Sequence, residues 1–223
     1  KCVKYWKTKA NYDLLNKSCE IAIKTNNISF SFLDTQYNAQ YYKEGDYNTE
    51  VAYFSNGTRV IDNIIDKDKT FSIGRGVISS TVINLPRIAL KHKNDMNGFF
   101  EELKSKTDLV KDQLLERLEI QSNKKAYNFP FLMKQNVWID SEKIRDDDKV
   151  RRILKQGAME IKFTGLNECV AALTDTINYD SKEAKDLALK IVNIMKAKTQ
   201  EFEKKYTFNF LLAGNENETI DKE

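Results

Sequence analysis

The residues of this chain best placed to do chemistry are an asparagine and a few glycines at what read as strand ends. Asn84 closes the β-rich run VISSTVIN, and Pro86 suits the first turn of a helix through RIALKHK. Ligands of α/β folds sit at the C-terminal ends of strands. The Asn84 amide can therefore hydrogen-bond a substrate or tie down the turn that follows. Gly74-Arg75-Gly76 stands before the same strand, whereas glycine-rich phosphate loops follow a strand and open a helix. It is either a poor phosphate cradle or a flexible entry into a buried strand. After FNFLLA, Gly214 and Asn215 begin the polar run GNENE, whose N–H groups can hold phosphate or merely turn the chain.

Other groups invite plainer readings. Glu168, in GLNEC, falls in the first turn of a helix, where the dipole favours a carboxylate whatever its role. Asp146, Asp147 and Asp148 look like a metal cluster, but adjacent carboxylates at a helix start are ordinarily solvated. His92, the only histidine, lies in LKHKND and reads as a surface residue. Cys2, Cys19 and Cys169 are far apart, with no C-x-x-C and no histidine pair, so neither a zinc nor a redox motif is present. N-x-[ST] sequons such as those at Asn27, Asn56 and Asn217 are expected by chance in an asparagine-rich chain without a secretion signal.

The elements that must position these groups follow from periodicity. NYDLLNKSCEIAIKT predicts a helix, ISFSFLD alternates as a strand, and TEVAYFSNGTRVIDNII predicts a hairpin around Asn56-Gly57. Val77 to Asn84 is a strand, Asn97 to Ile120 a long amphipathic helix, and NFPFLMKQNVWID is read as extended. DDDKVRRILKQG begins a short helix that Gly157 stops. MEIKFT is a strand, Gly165 a turn, and a helix starts near Leu166. SKEA caps a long helix over residues 181 to 206, and FNFLLAG is a buried strand. Strand, helix, strand, helix, strand predicts an α/β fold with mainly parallel pairing. No repeat or linker marks an internal boundary, so residues 1–223 read as one domain.

The 223 residues carry 36 Lys plus Arg against 33 Asp plus Glu, with the signs mixed, which argues against a nucleic-acid partner. No apolar run is long enough to span a membrane, and KCVKYWKTKANYD lacks the apolar block of a signal peptide, so a cytoplasmic protein is expected. The first residue is Lys rather than Met, which suggests a trimmed piece.

Five segments in order, TEVAYFSNGTRV, GRGVISSTVINLPRIAL, NFPFLMKQNVWIDSEK, LKQGAMEIKFTGLNECVAALT and EFEKKYTFNFLLA, resemble the anaerobic (class III, glycyl-radical) ribonucleoside-triphosphate reductases. The resemblance implies part of a ten-stranded α/β barrel and the reduction of ribonucleotides to deoxyribonucleotides. In that chemistry a glycyl radical generates a thiyl radical, which abstracts the ribose 3′ hydrogen. It implies no cofactor within this chain, but a glycyl radical installed in the parent by a radical-SAM activating protein. Its implied partners are a ribonucleotide and that activase, with a homodimeric parent and neither nucleic acid nor membrane. Asn84 would correspond to a substrate-site amide, and the loop with Gly214 and Asn215 to the region that receives phosphates.

The chain also departs from the family pattern. Where relatives read Met-Gly-Cys-Arg-Thr-Arg-Val, with the cysteine as radical carrier, it reads Phe54-Ser55-Asn56-Gly57-Thr58-Arg59-Val60, and Asn56 cannot carry a thiyl radical. Thr-Pro-Ala-Glu-Gly after the last strand is replaced by Gly214-Asn215-Glu216-Asn217-Glu218. The glycyl-radical segment, the cysteine-rich zinc segment and the part bearing a second active-site cysteine have no match here. The expected function is therefore a fragment of an anaerobic reductase, inactive by itself. The alternative is a divergent, non-catalytic nucleotide-binding or reductase-associated module. A formate-lyase relative fits GRGVISSTVINLPRIAL less well.

Overall fold

The computed structural model describes residues 12–25, 30–33, 35–53, 58–174 and 181–214. The chain folds as two compact units: Lys1–Ile61 with Thr70–Ile73, and Asp62–Lys69 with Gly74–Glu223. The chain passes between them three times, at Ile61–Asp62, Lys69–Thr70 and Ile73–Gly74, so no single linker separates them. That is why the sequence shows no boundary.

The first unit contains helix α1 (Tyr12–Thr25), the single turn α2 (Gln36–Ala39) and a 3-10 turn at Tyr47–Thr49. Asp13 in the first turn of α1 and Lys24 in its last complement the helix dipole. The strand expected in ISFSFLD does not form over residues 30–33. The Phe32 carbonyl accepts from the Thr35 N–H and from Asn38 Nδ2 (2.6 Å), which turns the chain into α2 instead. The expected hairpin is also not made: residues 50–53 and 58–65 contain no strand, and its tip, Phe54 to Gly57, lies outside the described residues. Arg59 there bonds Asn38 Oδ1 and stacks over Tyr53 at 5.3 Å.

The second unit is built on a three-stranded sheet in the order β1-β2-β3, all parallel: β1 (Val77–Asn84), β2 (Ala158–Thr164) and β3 (Asn209–Gly214). Between β1 and β2 run α3 (Leu85–Lys91), α4 (Met96–Ser122), the short α5 (Pro130–Lys134) and the single turn α6 (Arg151–Leu154). Between β2 and β3 run α7 (Leu166–Thr174) and α8 (Lys182–Tyr206). Caps fix the long helices: Asp95 accepts from Gly98 N–H at the start of α4, and Ser181 from Ala184 N–H at the start of α8. Thr207, in the left-handed region at φ 48°, ends α8 and turns the chain into β3.

One face of the sheet is covered by helices. Ile83, Met159, Ile161 and Phe210 pack there with Phe99, Leu103 and Leu114 of α4 and with Ile191, Met195 and Phe202 of α8, all buried. Each such side chain contributes on the order of 2 kcal/mol by leaving water. A second cluster joins Met133, Trp138, Val150 and Ile153, and the Trp138 indole donates to the Ile153 carbonyl at 3.0 Å. NFPFLM is therefore helical rather than extended. Pro130 starts α5, where its missing N–H is no loss, and one turn carries Met133 into this cluster.

GRG proves to be a structural clamp. Arg75, only 5% exposed, donates to the carbonyls of Gln156 (2.7 Å), Asp62 (2.8 Å) and Lys69 (3.2 Å). Burial pulls its guanidinium down to about 10. Beside it the buried amides of Asn63, Gln156 and Asn209 bond one another, and Asn209 also bonds Ile64 N–H and the Gly157 carbonyl. These side-chain bonds satisfy the backbone of segment 62–66 without a ladder, so its β-like residues need no strand partner. Replacing Arg75 by Met strands the buried Gln156 carbonyl and removes the guanidinium from the part-buried Asp62 and Lys69 carbonyls, and urea unfolding should show a loss of about 2–4 kcal/mol. Arg75→Lys should recover only part of it, because an ammonium lacks the guanidinium's fork. A loss under about 1 kcal/mol would refute the clamp.

Candidate functional site

The C-terminal ends of the strands bring the sequence-predicted groups together only in part. Asn84 lies in register with Thr164, and Gly214 with Phe163. Asn56 and Asn215 lie outside the described residues. Asn84 caps α3, its Oδ1 accepting the Arg87 N–H at 3.0 Å, while its Nδ2 makes no hydrogen bond among the described residues. Its carbonyl therefore ties down the turn, and its amide donors remain for another partner. At Gly214 an added Cβ would stand 3.6 Å from the Phe163 ring, an ordinary contact, so the fold does not require glycine there.

Gly165 is different. It sits at φ 71°, and a Cβ there would overlap Pro86 Cγ. The turn after β2 is thus pressed directly against the start of α3, so NLPR and GLNE meet at the strand ends. Glu168 stands in the first turn of α7, as the sequence predicts, with its Oε2 3.5 Å from that same Cβ position. Gly165→Ala combines a disfavoured backbone with a clash, and calorimetry should show a loss of about 2–4 kcal/mol.

A groove of about 610 Å³ lies beside the outer edge of β1, between it, α3 and α4. Asn84 and Val82 line one side, and Arg87, Lys91, Glu102 and Lys106 contribute charge. Glu102 Oε2 accepts from Lys91 Nζ and from His92 Nε2, both at 2.6 Å. His92 is accordingly no plain surface residue: its side chain is 19% exposed and ends α3 in this ion cluster, with Asp95 3.8 Å from Nδ1. Lys91 first, then His92, hold the Glu102 carboxyl down at about 2. A carboxyl lowered on folding stabilises above its unfolded value near 4.5, and the gain is lost as pH falls toward 2. Glu102→Gln should therefore be less stable than the parent near pH 6, and the two should converge as unfolding is followed down to about pH 2.

Alternation along the strands places Ser80, Val82 and Asn84 on the face opposite the helix-covered core, beside Glu160, Lys162 and Thr164 of β2. Glu160 is 1% exposed; its Oε2 is 3.5 Å from Lys162 Nζ, and its Oε1 has no hydrogen-bond partner among the described residues. No motif points to this pair in the sequence. Its only signal there is the charge at every second position of MEIKFT.

The remaining candidates separate. Asp146 pairs with Lys134 and Asp147 with Lys125, while Asp148 accepts the Arg145 N–H, so the three carboxylates have three different partners. No group of three His, Cys, Asp or Glu that could hold a metal ion occurs among the described residues. Cys19 is exposed, whereas Cys169 is buried and its thiol is pushed up to about 12. No helix among the described residues is long and apolar enough to cross a membrane.

A family model described as anaerobic ribonucleoside-triphosphate reductase matches residues 2–219. Proteins of that name from Haemophilus influenzae and Salmonella typhimurium are 25% and 26% identical over 150 residues, which is 66% of this chain and 21% of theirs. The chain thus spans about a fifth of the length of these relatives. Among solved structures, an anaerobic ribonucleotide reductase aligns with a TM-score of 0.51 at 19% identity, over 62% of this chain and 20% of that one. The Thermotoga maritima enzyme with glycerol in its active site aligns with a TM-score of 0.51 at 18% identity, over 64% and 22%.

Proposed function

The chain belongs to the anaerobic ribonucleoside-triphosphate reductase family, and on that premise we propose that it forms part of the catalytic barrel of such an enzyme. The three parallel strands would be neighbours in the ten-stranded barrel, and the face bearing Asn84, Lys162 and Glu160 would line its interior. The whole enzyme would reduce ribonucleotides to deoxyribonucleotides as an oxidoreductase. The glycyl radical that starts this chemistry, installed by a radical-SAM activase, would be carried by the longer protein, which would act as a homodimer.

The observation that carries this reading is the placement of Asn84. It stands exposed at the C-terminal end of a parallel strand with its carbonyl fixed by Arg87 N–H, so its Nδ2 donors are held in one orientation toward a substrate oxygen. The loop beginning at Gly214 and Asn215 would receive phosphate at the end of β3. With Asn in the position where relatives carry the radical cysteine, Asn56 leaves the thiyl function to a residue elsewhere in the parent. The same substitution favours a second reading, in which the chain is a nucleotide-binding module without turnover. The mass of the native product, probed with an antibody to this chain, separates the two. A product far larger than 25.9 kDa supports the enzyme, and one near that mass supports the module.

Substitution tests the role of Asn84. Asn84→Ala also removes a helix cap worth about 1 kcal/mol, so Asn84→Ser, which keeps a capping oxygen, is the better probe. In the full-length reductase Asn84→Ser should lower kcat/KM by about 10- to 100-fold, with the melting temperature nearly unchanged. Unaltered kinetics would dispose of the assignment.

A further inference from the structure

The sheet face opposite the helical core opens toward the strand ends. Glu160 is 1% exposed, the Lys162 side chain 15% and Val82, its register partner, 40%, while Asn84 stands exposed above them. Lys162 is thus the floor of the open part. It lies two residues before Thr164, the register partner of Asn84, an offset of about 8 Å between Cα atoms that a lysine side chain can span. The ion pair at this floor is incomplete. Lys162 Nζ is 3.5 Å from Glu160 Oε2, longer than a good hydrogen bond, and Glu160 Oε1 has no hydrogen-bond partner among the described residues. An ammonium has three donors, so Lys162 keeps donors for a further acceptor while the carboxylate holds it from below. A buried charge with bonds unmade costs stability, and it calls for a partner that completes it.

We infer that Lys162, positioned by Glu160, is a specificity-determining residue that recognises a sugar hydroxyl of the substrate. Charge decides the class of group. A phosphate at this depth would meet the Glu160 carboxylate as well as the ammonium, whereas a hydroxyl accepts from Lys162 and can donate onward to a carboxylate. The inference rests on the reductase reading, in which the ribonucleotide carries a hydroxyl that its deoxyribonucleotide product lacks. A site built to hydrogen-bond a hydroxyl rejects the analogue without it, because the site's own polar group is then left unpaired. Lys162 would therefore favour the substrate over the product.

Kinetics of the full-length reductase test it, with a ribonucleotide as substrate and its 2′-deoxy product as competitive inhibitor. Lys162→Met by itself strands a buried carboxylate, so the probe is Glu160→Gln with Lys162→Met, which removes donor and charge together. In this double variant kcat/KM should fall by about 10- to 100-fold, while the inhibition constant of the deoxyribonucleotide stays within about threefold of the parent's. Glu160→Gln alone should show part of that loss, because the ammonium then lacks its hold. A loss shared equally by both ligands, or unchanged kinetics, would overturn the inference. Should the double variant misfold, the Lys162 Nζ resonance of the unaltered protein, assigned by its disappearance in Lys162→Arg, decides the matter. It should shift with the ribonucleotide and not with the deoxyribonucleotide, and a response to both or to neither refutes the role. If Asn84→Ser lowers kcat/KM and the double variant does not, this inference fails alone. If neither changes the kinetics, or the full-length protein does not turn over, the reductase reading fails with it.

Discussion

A single buried guanidinium holds the second unit's sheet in the form that everything else requires. Arg75 reaches three carbonyls, those of Asp62 and Lys69 in the segment just before it and that of Gln156, 81 residues further on. It thereby fixes where β1 begins relative to the residue pair that opens β2. Apolar packing alone tolerates slippage by one residue, which would invert every side chain of a strand. A cation bonded to carbonyls at fixed positions does not. The neighbouring amides of Asn63, Gln156 and Asn209 extend the same constraint to β3. The cost of burying a charge is offset by directional bonds that admit one register.

With that register set, the two faces of the sheet take on different work. Met159, Ile161, Ile83 and Phe210 close the helical core, and the opposite face is left with polar and charged groups at every second position of β2. A buried Glu160 with one oxygen unpartnered among the described residues, beside Lys162, lowers stability relative to an apolar pair of similar volume. Groups of that kind are retained where a face meets something other than its own core, which agrees with a barrel interior.

Much of this fold was legible in the sequence. β1, β2, β3, α4, α7 and α8 lie within a residue or two of the expected bounds, because each combines a sustained period with a cap or stop such as Ser181 or Gly165. The strands expected in ISFSFLD and TRVIDNII are not made over the described residues, and for one reason. Alternation shows that a segment can be a strand, but whether it finds a partner depends on distant residues, and here Asn38, Asn63 and Asn209 supply the bonds instead. NFPFLM departs from its extended reading because its clustered apolar residues serve a local tryptophan-centred core rather than a sheet. At the site, the position of Asn84 followed from strand and proline signals, but the division of labour between its two amide atoms did not. The groove beside it is assembled from α3 and α4 around one edge of β1. No single stretch of sequence contains it.

The contact between Gly165 and Pro86 joins positions nearly eighty residues apart through a space too small for a methyl group. Neither residue can change freely while the other stays. A larger side chain at 165 becomes tolerable only after the ring at 86 is lost, and that change alters the entry of α3 and with it the aim of Asn84. The two positions therefore behave as one heritable character: lineages that keep the amide in place should inherit the pair together, and those that abandon it are free to lose both.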